Sequence, residues 1–364
     1  MLIKDVIAHL ETIAPPALQE DYDNAGLICG NAVEELTNAL ITLDCTEPIV
    51  EEAKRENCNL IIAHHPILFQ PLKRLTGSDY VQRTIISAIK NDIAIYAIHT
   101  NLDNVRQGVN QRISEKLGLQ KTRVLSPKKG LLKKLFTFIP LSHVEKVREA
   151  IFAAGAGVIG NYDRCSFNVE GYGTFRGGEG TDPFVGKSGE VHEEKEVKVE
   201  AIFPAWLESK IISALLESHP YEEVAYDIVG LDNAHPRIGG GMIGKLPEPM
   251  DAGEFLTHLK KAMALQVIRH TMFEASVSTV AVCGGAGSFL LKEAMASGAE
   301  AFVSADFSYH RFFDAEGRIL IADIGHYESE RFTVELLRDL LRDKFPKFVP
   351  LLTEVNTNPV RYFS

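Results

Sequence analysis

"NLIIAHHPILF", residues 59–69, reads as a buried β-strand that ends in two adjacent histidines. The apolar run of residues 60–63 has the length and aliphatic content of a strand in a parallel sheet. His64 and His65 interrupt this run, and Pro66 follows them directly. A buried imidazole needs a partner for its nitrogens, because burial removes the hydrogen bonds that water would provide. The stretch therefore predicts a strand whose carboxyl end carries a polar site.

Helical and strand patterns alternate around this stretch over residues 1–125. Amphipathic patterns such as IKDVIAHLETI (3–13) are followed by short apolar runs such as IAIYAI (93–98), at the spacing of βα units. The same style returns over residues 236–364, in STVAVCGG (278–285) and EAFVSADFS (300–308). These segments predict an α/β body that is split in sequence, with a largely parallel sheet flanked by helices.

Residues 126–235 have a different pattern, which predicts an inserted α+β domain. Strand-like KKLFTFIP (133–140) and EEKEVKVEAIFP (193–204) belong to the order βαββαβ, which is that of a ferredoxin-like sandwich. Glycine-rich RGGEGTDPFVGKSGE (176–190) is typical of a flexible loop that serves function or an interface. RIGGGMIGKLPEP (237–249) reads as the return linker, since glycine and proline suit a turn-rich crossing.

Composition narrows the class of protein. The formal net charge of −11 disfavours direct binding to nucleic acid, which depends on Lys and Arg. No apolar run approaches the length of a membrane span, and the N-terminus lacks the pattern of a secretory signal. The five cysteines are scattered and form no CxxC pair, which argues against disulfides and against a thiolate metal site. We therefore expect a cytoplasmic protein that does not contact a membrane.

Four polar clusters follow predicted strands of the split body: HHP (64–66), HTNLD (99–103), ADFSYH (305–310) and GHYESE (325–330). Ligands in open α/β sheets bind beyond the carboxyl ends of the strands, so these loops are where a site is expected. Imidazoles and carboxylates together suit first-row divalent metals, namely Zn, Fe, Mn, Co or Ni. The sequence does not distinguish among these metals.

The spacing of the last cluster supports this hypothesis. His326 and Glu330 are four residues apart, so a helix would present both on one face. Three imidazoles and two carboxylates exceed the ligand set of one tetrahedral zinc, and a carboxylate can bridge, which favours two cations. Asp103 and Glu330 would only partly neutralise such a pair, and the remaining positive charge favours an anionic substrate.

Each signal also has a simpler explanation. An H-x-x-x-E pair on a helix is usually a solvated surface pair, and a lone His99 is more often a hydrogen-bonded core histidine than a ligand. CGGAGS (283–288) could hold a phosphate at a helix N-terminus, but without a G-x-G-x-x-G motif or a Walker lysine it favours a tight turn. HPYEE (219–223) lies at a helix-to-strand turn, where a helix stop and surface charges explain it.

The motifs IIAHHPILF, HTNLD, SADFSYH and GHYESE, together with DYDNAGLICG (21–30), resemble the Nif-three-like dinuclear metal-centre family, whose members are labelled GTP cyclohydrolase 1 type 2 homologues. The resemblance implies two divalent cations, with Glu330 as a shared carboxylate. The implied metal ligands are His64, His65, Asp103, His326 and Glu330. It also implies that His99, Asp306 and His310 orient ligands or move protons.

The middle segment resembles the inserted domain of the family's longer bacterial members, which is similar to the PII and CutA folds. The resemblance implies domains at 1–125, 126–235 and 236–364. It further implies a toroidal homohexamer whose metal sites face an internal cavity.

Two functions are open at this point. The first is a metal-dependent hydrolase that acts on a small anionic or nucleotide ligand, with GTP implied by the family label. The second is a non-enzymatic, metal-binding regulatory hexamer whose inserted domain senses a small molecule.

Overall fold

The computed structural model describes residues 1–363, which form two compact units. The split unit comprises Met1–Pro127 and the chain from Arg237 onward, and the middle unit comprises Lys128–Pro236. Several sheets are flanked by helices, so the predicted mixed α/β class is confirmed. Within the described residues, none of the helices combines the length and the apolar character that crossing a membrane requires.

Strands and helices are numbered along the chain. The strands are β1 (Gly26–Cys29), β2 (Ala39–Thr42), β3 (Leu60–Ala63), β4 (Ala94–Ala97), β5 (Gln120–Pro127), β6 (Leu132–Pro140), β7 (Phe167–Arg176), β8 (Val191–Pro204), β9 (Tyr226–Leu231), β10 (Gly239–Met250), β11 (Arg269–His270), β12 (Val277–Ala286), β13 (Ala301–Ala305), β14 (Leu320–Asp323) and β15 (Leu351–Leu352). The helices are α1 (Ile3–Ile13), α2 (Glu47–Arg55), α3 (Tyr80–Lys90), α4 (Thr100–Asp103), α5 (Val109–Lys116), α6 (Val144–Ala154), α7 (Glu208–Ser218), α8 (Ala252–Ala262), α9 (Leu291–Ala296), α10 (His326–Glu330) and α11 (Thr333–Lys344).

The split unit has two sheets, where the sequence pattern predicted one. The first has the order β1-β4-β3-β2-β15, and the second has the order β11-β14-β13-β12-β10-β5. β2, β3, β4 and β15 are parallel, as are β12, β13 and β14, while antiparallel strands complete each sheet. Strands of βα units pair mainly with strands that are close to them in sequence. β1 to β4 therefore belong to the first sheet, and β10 to β14 belong to the second.

The segment interpreted as a return linker is a strand, so that interpretation is wrong. β10 pairs with both β5 and β12, inside the second sheet. Its glycines suggested turns, but they allow the strand to approach its neighbours closely. A Cβ on Gly239, for example, would lie 2.1 Å from the carbonyl oxygen of Ser126.

The middle unit follows the order β6-α6-β7-β8-α7-β9. Its four strands form an antiparallel sheet in the order β7-β8-β6-β9. Apolar residues of β6 and β8 pack against α6 and α7 on one face, including Ile139, Val147, Val199 and Ile211. The period-two pattern of β8 therefore places its apolar residues against the helices and its charged residues on the other face.

Local sequence explains the elements that carry the polar loops. β3, β4 and β14 are short and wholly buried, which matches their uninterrupted aliphatic runs. The carboxylate of Asp79 accepts a hydrogen bond from the Gln82 amide at 2.9 Å and so begins α3. Rigid, buried strands of this kind hold the residues that follow them in defined positions.

Candidate metal centre

The strand ends of the split unit bring the predicted polar residues together. His64 and His65 follow β3, and Asp103 ends the short helix α4 after β4. His326 and Glu330 are the first and last residues of α10, which follows β14. Nε2 of His65 lies 3.0 Å from Oε2 of Glu330, although the two residues are 265 positions apart. Loops from both sheets therefore meet at one cluster.

His64 is completely buried and is fixed in one tautomer. Its Nδ1 lies 2.8 Å from the carbonyl oxygen of Ile98, which can only accept, so Nδ1 carries the proton. Its Nε2 therefore presents a lone pair to Asp103 Oδ1 at 3.7 Å and to Glu330 Oε1 at 3.8 Å. Burial lowers the pKa of His64, which keeps the ring neutral.

His65 lies between two carboxylates. Its Nδ1 is 2.8 Å from Asp44 Oδ1, and its Nε2 contacts Glu330. Burial by itself would lower the pKa of His65, but the hydrogen bonds to Asp44 and Glu330 outweigh it and raise the pKa to about 10. Without a cation, this ring carries a proton at neutral pH.

His326 is oriented in the same manner on the opposite side of Glu330. Its Nδ1 lies 2.6 Å from Asp306 Oδ2, and its Nε2 lies 3.2 Å from Glu330 Oε2. Burial opposes protonation, but the contacts with Glu330 and Asp306 raise the pKa of His326 to about 9. The side chain of His326 is 41 % exposed, so this edge of the cluster is open to solvent.

Glu330 is the centre of the cluster and is only 3 % exposed. Its Oε2 faces His65 and His326, while its Oε1 faces His64. Burial favours the neutral acid, but the contacts with His326, His64 and His65 hold the pKa of Glu330 well below its usual range. This burial excludes the interpretation of the H-x-x-x-E pair as a solvated surface pair.

Two polar atoms in the cluster have no hydrogen-bond partner among the described residues: His64 Nε2 and Asp103 Oδ1. Buried polar atoms of this kind are costly and rarely left unsatisfied. Burial and the neighbouring charge of Glu330 raise the pKa of Asp103 well above its ordinary value. A cation between these atoms would satisfy both and would favour the ionised carboxylate, so the residues fit a metal ion.

The candidate ligand residues form three overlapping sets, and within each set the ligand atoms lie within 4.8 Å of one another. The sets are His65, His326 and Glu330; His64, Asp103 and Glu330; and His64, His65 and His99. Glu330 belongs to both of the first two sets. Its Oε2 faces His65 and His326, and its Oε1 faces His64. The arrangement could hold one cation or more in this part of the chain.

The other predicted site residues, His99, Asp306 and His310, do not all lie in the cluster. His99 lies beside His64 and His65, with ring centroids 5.3 Å from each. Asp306 contacts His326 directly. His310 lies on the exposed 3-10 segment Tyr309–Ala315, and its described contacts are with the rings of Tyr309 and Phe313. The structure therefore joins His99 and Asp306 to the cluster but does not join His310 to it.

Two carboxylates of the cluster were not predicted as site residues. Asp44 orients His65, and Asp23 accepts from His99 Nδ1 at 2.8 Å. Both had a signal in the sequence, since Asp44 follows the apolar strand β2 and Asp23 lies in DYDNAGLICG. The second oxygen of Asp44 accepts a hydrogen bond from the hydroxyl of Thr357 at 2.7 Å, which fixes the carboxylate further.

The CGGAGS stretch is the irregular end of β12 beside Glu330, so the tight turn favoured from the sequence is wrong, and the stretch does not have the free amides of a phosphate cradle. The amides of Gly284, Gly285 and Gly287 donate to side chains of Asn110, Ser329 and Ser304. Gly285 has a φ of +61°, and a Cβ there would lie 2.5 Å from Glu330 Oε1. A glycine is required here both by the backbone conformation and by the close approach of the carboxylate.

Gly285→Ala is expected to weaken metal binding by about tenfold or more, because the added methyl group displaces Glu330. Gly298→Ala is a matched control, since Gly298 has a φ of +76° and open space around its Cβ position. Both variants should lose about 1 kcal/mol of stability from backbone strain, but Gly298→Ala should keep its affinity. Competition with a chromophoric chelator measures the affinity, and equal affinities would contradict the prediction.

Comparisons with known proteins agree with this architecture. The chain matches the family described as Duf34/NIF3 (NGG1p interacting factor 3) over residues 1–359. It is 39 % identical to a protein of Halalkalibacterium halodurans, with 98 % of each chain covered. It is 36 % identical to a protein of Bacillus subtilis, with 99 % of this chain and 98 % of that protein covered. Both relatives are named "GTP cyclohydrolase 1 type 2 homolog".

A solved structure has the same fold over the whole chain. A Bacillus cereus protein described as related to NIF3 superposes with a TM-score of 0.87 at 38 % identity, covering 100 % of this chain and 99 % of that one. The resemblance predicted from the sequence motifs is therefore confirmed. The chain belongs to the Duf34/NIF3 family.

Proposed function

We propose that this protein is a metal-dependent hydrolase with a centre of two divalent cations. The supporting observation is the position of Glu330, whose Oε2 faces His65 and His326 while its Oε1 faces His64. A shared carboxylate of this kind suits a pair of cations better than a single tetrahedral ion.

The proposed ligands are the five residues His64, His65, Asp103, His326 and Glu330. Imidazole nitrogen and carboxylate oxygen suit Zn, Fe, Mn, Co or Ni. When bound, two such cations would activate water near neutral pH and would offset the negative charge of a substrate.

The protein's own groups orient the donors. The carbonyl of Ile98, the carboxylate of Asp44 and the carboxylate of Asp306 each engage the Nδ1 atom of one ligand histidine. In each ring Nε2 is therefore the atom that faces the cluster. Partners of this kind fix the orientation of the ring and raise its basicity as a ligand.

We assign the movement of protons to His99. Asp23 engages Nδ1 of His99 and also accepts hydrogen bonds from the amide and the hydroxyl of Thr100. Burial opposes ionisation of Asp23, but these hydrogen bonds lower its pKa to about 2, so it stays an anion. Nε2 of His99 is then the ring nitrogen available to take a proton from water and return it to a leaving group.

The proposed substrate is a nucleotide or another small anion. Two divalent cations carry more positive charge than Asp103 and Glu330 can neutralise, which favours an anionic ligand. The name of the curated relatives suggests GTP as the more specific substrate. In such a reaction one water would add to C8 of the purine and open the imidazole ring to a formamide, and a second water would release formate.

The test is to incubate metal-loaded protein with GTP and with p-nitrophenyl phosphate, measuring formate and phosphate or nitrophenol. His65→Ala and Glu330→Ala should each lose roughly 100-fold or more of the rate, because a cation ligand is removed. His270→Ala is the control, since His270 is exposed on β11 and outside the cluster.

An alternative is a metal-binding regulatory protein without catalysis. It would be supported if the wild-type protein holds two cations but converts neither substrate. Equal rates for the wild-type protein and both ligand variants would likewise contradict the hydrolase.

We also propose that the protein assembles as the homohexamer that the family resemblance implies. Several large apolar side chains of the split unit are 64–80 % exposed, among them Met272, Phe289, Tyr309 and Phe313. The rings of Tyr309 and Phe313 lie 5.5 Å apart, and exposed apolar side chains that adjoin one another in this way are typical of a surface that another chain covers.

Light scattering should therefore give a mass of about six times the 40.2 kDa of one chain. Phe313→Asp should lower this mass, because it places a charge in the covered surface. Val33→Asp, at another exposed apolar residue, should leave the mass unchanged. A monomeric wild-type protein would contradict the proposal.

A further inference from the structure

The middle unit contains a cleft of about 710 Å³ that is separate from the residues of the metal centre. It lies over β6, β7 and β8 and is bordered by the glycine-rich segment after β7 and by the turn after α7. A volume of roughly 300–1,000 Å³ is typical of sites for small molecules. The cleft also contains part of the HPYEE stretch, to which the metal centre gives no role.

Aromatic rings form much of the wall. Phe175 and Phe184 each have a ring centroid 6.2 Å from that of Tyr221, and Phe138 lines the floor. Tyr221 is held in place by the turn itself, where its amide donates to Nδ1 of His219 at 3.1 Å. Such a wall suits a planar ring, which can stack on or meet the edges of these side chains.

One buried carboxylate lies in the cleft. Glu196 is 8 % exposed, and its Oε1 accepts a hydrogen bond from the hydroxyl of Tyr221 at 2.8 Å. Its Oε2 lies above Gly173, where a Cβ would approach it to 2.3 Å. Tyr221 and Gly173 therefore determine where the carboxylate lies.

Glycine also leaves room in front of this carboxylate. Gly171 is the direct cross-strand partner of Glu196, so both face the same side of the sheet. A Cβ on Gly171 would meet no atom within 4 Å. The space beside Glu196 is thus open because β7 carries no side chain at this point.

The charges of the cleft favour a cation. Lys198 and Arg176 line it, but Lys198 pairs with Glu200 at 3.0 Å, and no Lys, Arg or His of the described chain forms an ion pair with Glu196. Glu222 adds a further carboxylate and accepts from the amide of Asp182. A buried carboxylate without a cationic partner is unfavourable unless a ligand provides one.

We propose that this cleft binds a planar aromatic or heteroaromatic cation of the amidine or amino-heterocycle class. The ring lies among Phe175, Phe184 and Tyr221, and its N–H groups donate to Glu196. A protonated, planar donor satisfies the carboxylate and gains cation–π contacts with the same rings. The proposal does not depend on the hydrolase function.

The test uses the full chain with benzamidine as the probe and benzoate as its anionic counterpart of the same shape. Ligand-observed NMR titration should show that benzamidine binds and that benzoate does not. Glu196→Gln should weaken benzamidine binding by about tenfold or more, because the charge that attracts the amidinium is removed. Gly171→Leu should abolish binding by filling the space.

Glu193→Gln is the matched control, since it makes the same charge change on β8 at an exposed residue outside the cleft. Circular dichroism and metal content should be the same for all variants. Equal binding of benzoate, undiminished binding by Glu196→Gln, or no binding to the wild-type protein would overturn the proposal. A fall in the mass of the Gly171→Leu protein by light scattering would also overturn it, because the cleft would then be covered by a second copy of the chain.

Discussion

Glu330→Gln is expected to remove bound metal almost completely, with a loss of affinity of roughly 100-fold or more. The amide keeps the size of the side chain but removes the negative charge that His64, His65 and His326 face. It also places an N–H₂ group where a second acceptor oxygen is needed. Elemental analysis after dialysis measures the metal content of the variant and of the wild-type protein.

Glu293→Gln is the control for this variant, because Glu293 is exposed on α9, belongs to none of the ligand sets and undergoes the same change of charge. The control should retain the wild-type metal content. If Glu330→Gln binds as much metal as the control, Glu330 does not coordinate a cation and the proposed centre is wrong.

The metal-free protein is expected to lose stability as the pH rises from about 6.5 towards 10. The pKa of His65 is raised to about 10 in the folded chain, while it is near 6.5 in the unfolded chain. Its contribution to the free energy of unfolding is therefore fully present below pH 6.5 and is lost as the pH passes through the folded value. This contribution is on the order of a few kcal/mol, since the side chain is largely buried.

The neighbouring groups define the rest of the pH profile. His326, with a pKa raised to about 9, adds in the same direction but less, because it is more exposed. The lowered pKa of Glu330 has the opposite sign, and its contribution is lost only as the pH falls below about 4.5. Two further shifts act in the same cluster: the lowered pKa of His64 costs stability as the pH falls below about 6.5, and the raised pKa of Asp103 costs stability as the pH rises above about 3.8. Above pH 6.5 the stability of the metal-free protein should therefore fall as the pH rises.

Metal binding must displace the protons of His65 and His326, so it should release about two protons per chain at neutral pH. Calorimetry in buffers of different ionisation enthalpy measures this number. Urea unfolding of chelator-treated protein between pH 6 and 10 measures the loss of stability.

His65→Gln should flatten that profile relative to the wild-type protein, while His270→Gln should not, since His270 is exposed and outside the cluster. A metal-free wild-type protein whose stability has the same pH dependence as His65→Gln would show that His65 is not protonated in this way.

The strand ends of the site could be predicted from the sequence because their signal is local. A buried parallel strand needs a run of aliphatic residues, so a histidine or carboxylate directly after the run is conspicuous. His64 and His65 satisfy this rule, whereas His326 and Glu330 follow β14 after a short gap and were linked by their four-residue spacing; the structure brings all of them together. The rule also applies to Asp44, whose role was missed because one carboxylate after a strand is a weak signal without its partner His65.

Other features depended on packing between distant segments. The number of sheets in the split unit follows from which strands pair, and local periodicity does not encode pairing. The glycines of β10 are compatible with a turn or with a tightly packed strand, and only its neighbours β5 and β12 decide between them. The same holds for HPYEE, where the position of Tyr221 beside Glu196 depends on strands that are distant in sequence.

By itself, the sequence determined the α/β class, the family and the residues that could hold a metal, because periodicity, composition and short motifs are properties of neighbouring residues. Only the tertiary structure decided which oxygen of Glu330 faces which histidine, which tautomer His64 adopts and where a cleft opens in the middle unit. Those features depend on distances and burial, which arise when segments that are from 34 to 265 residues apart in the chain pack together and exclude water.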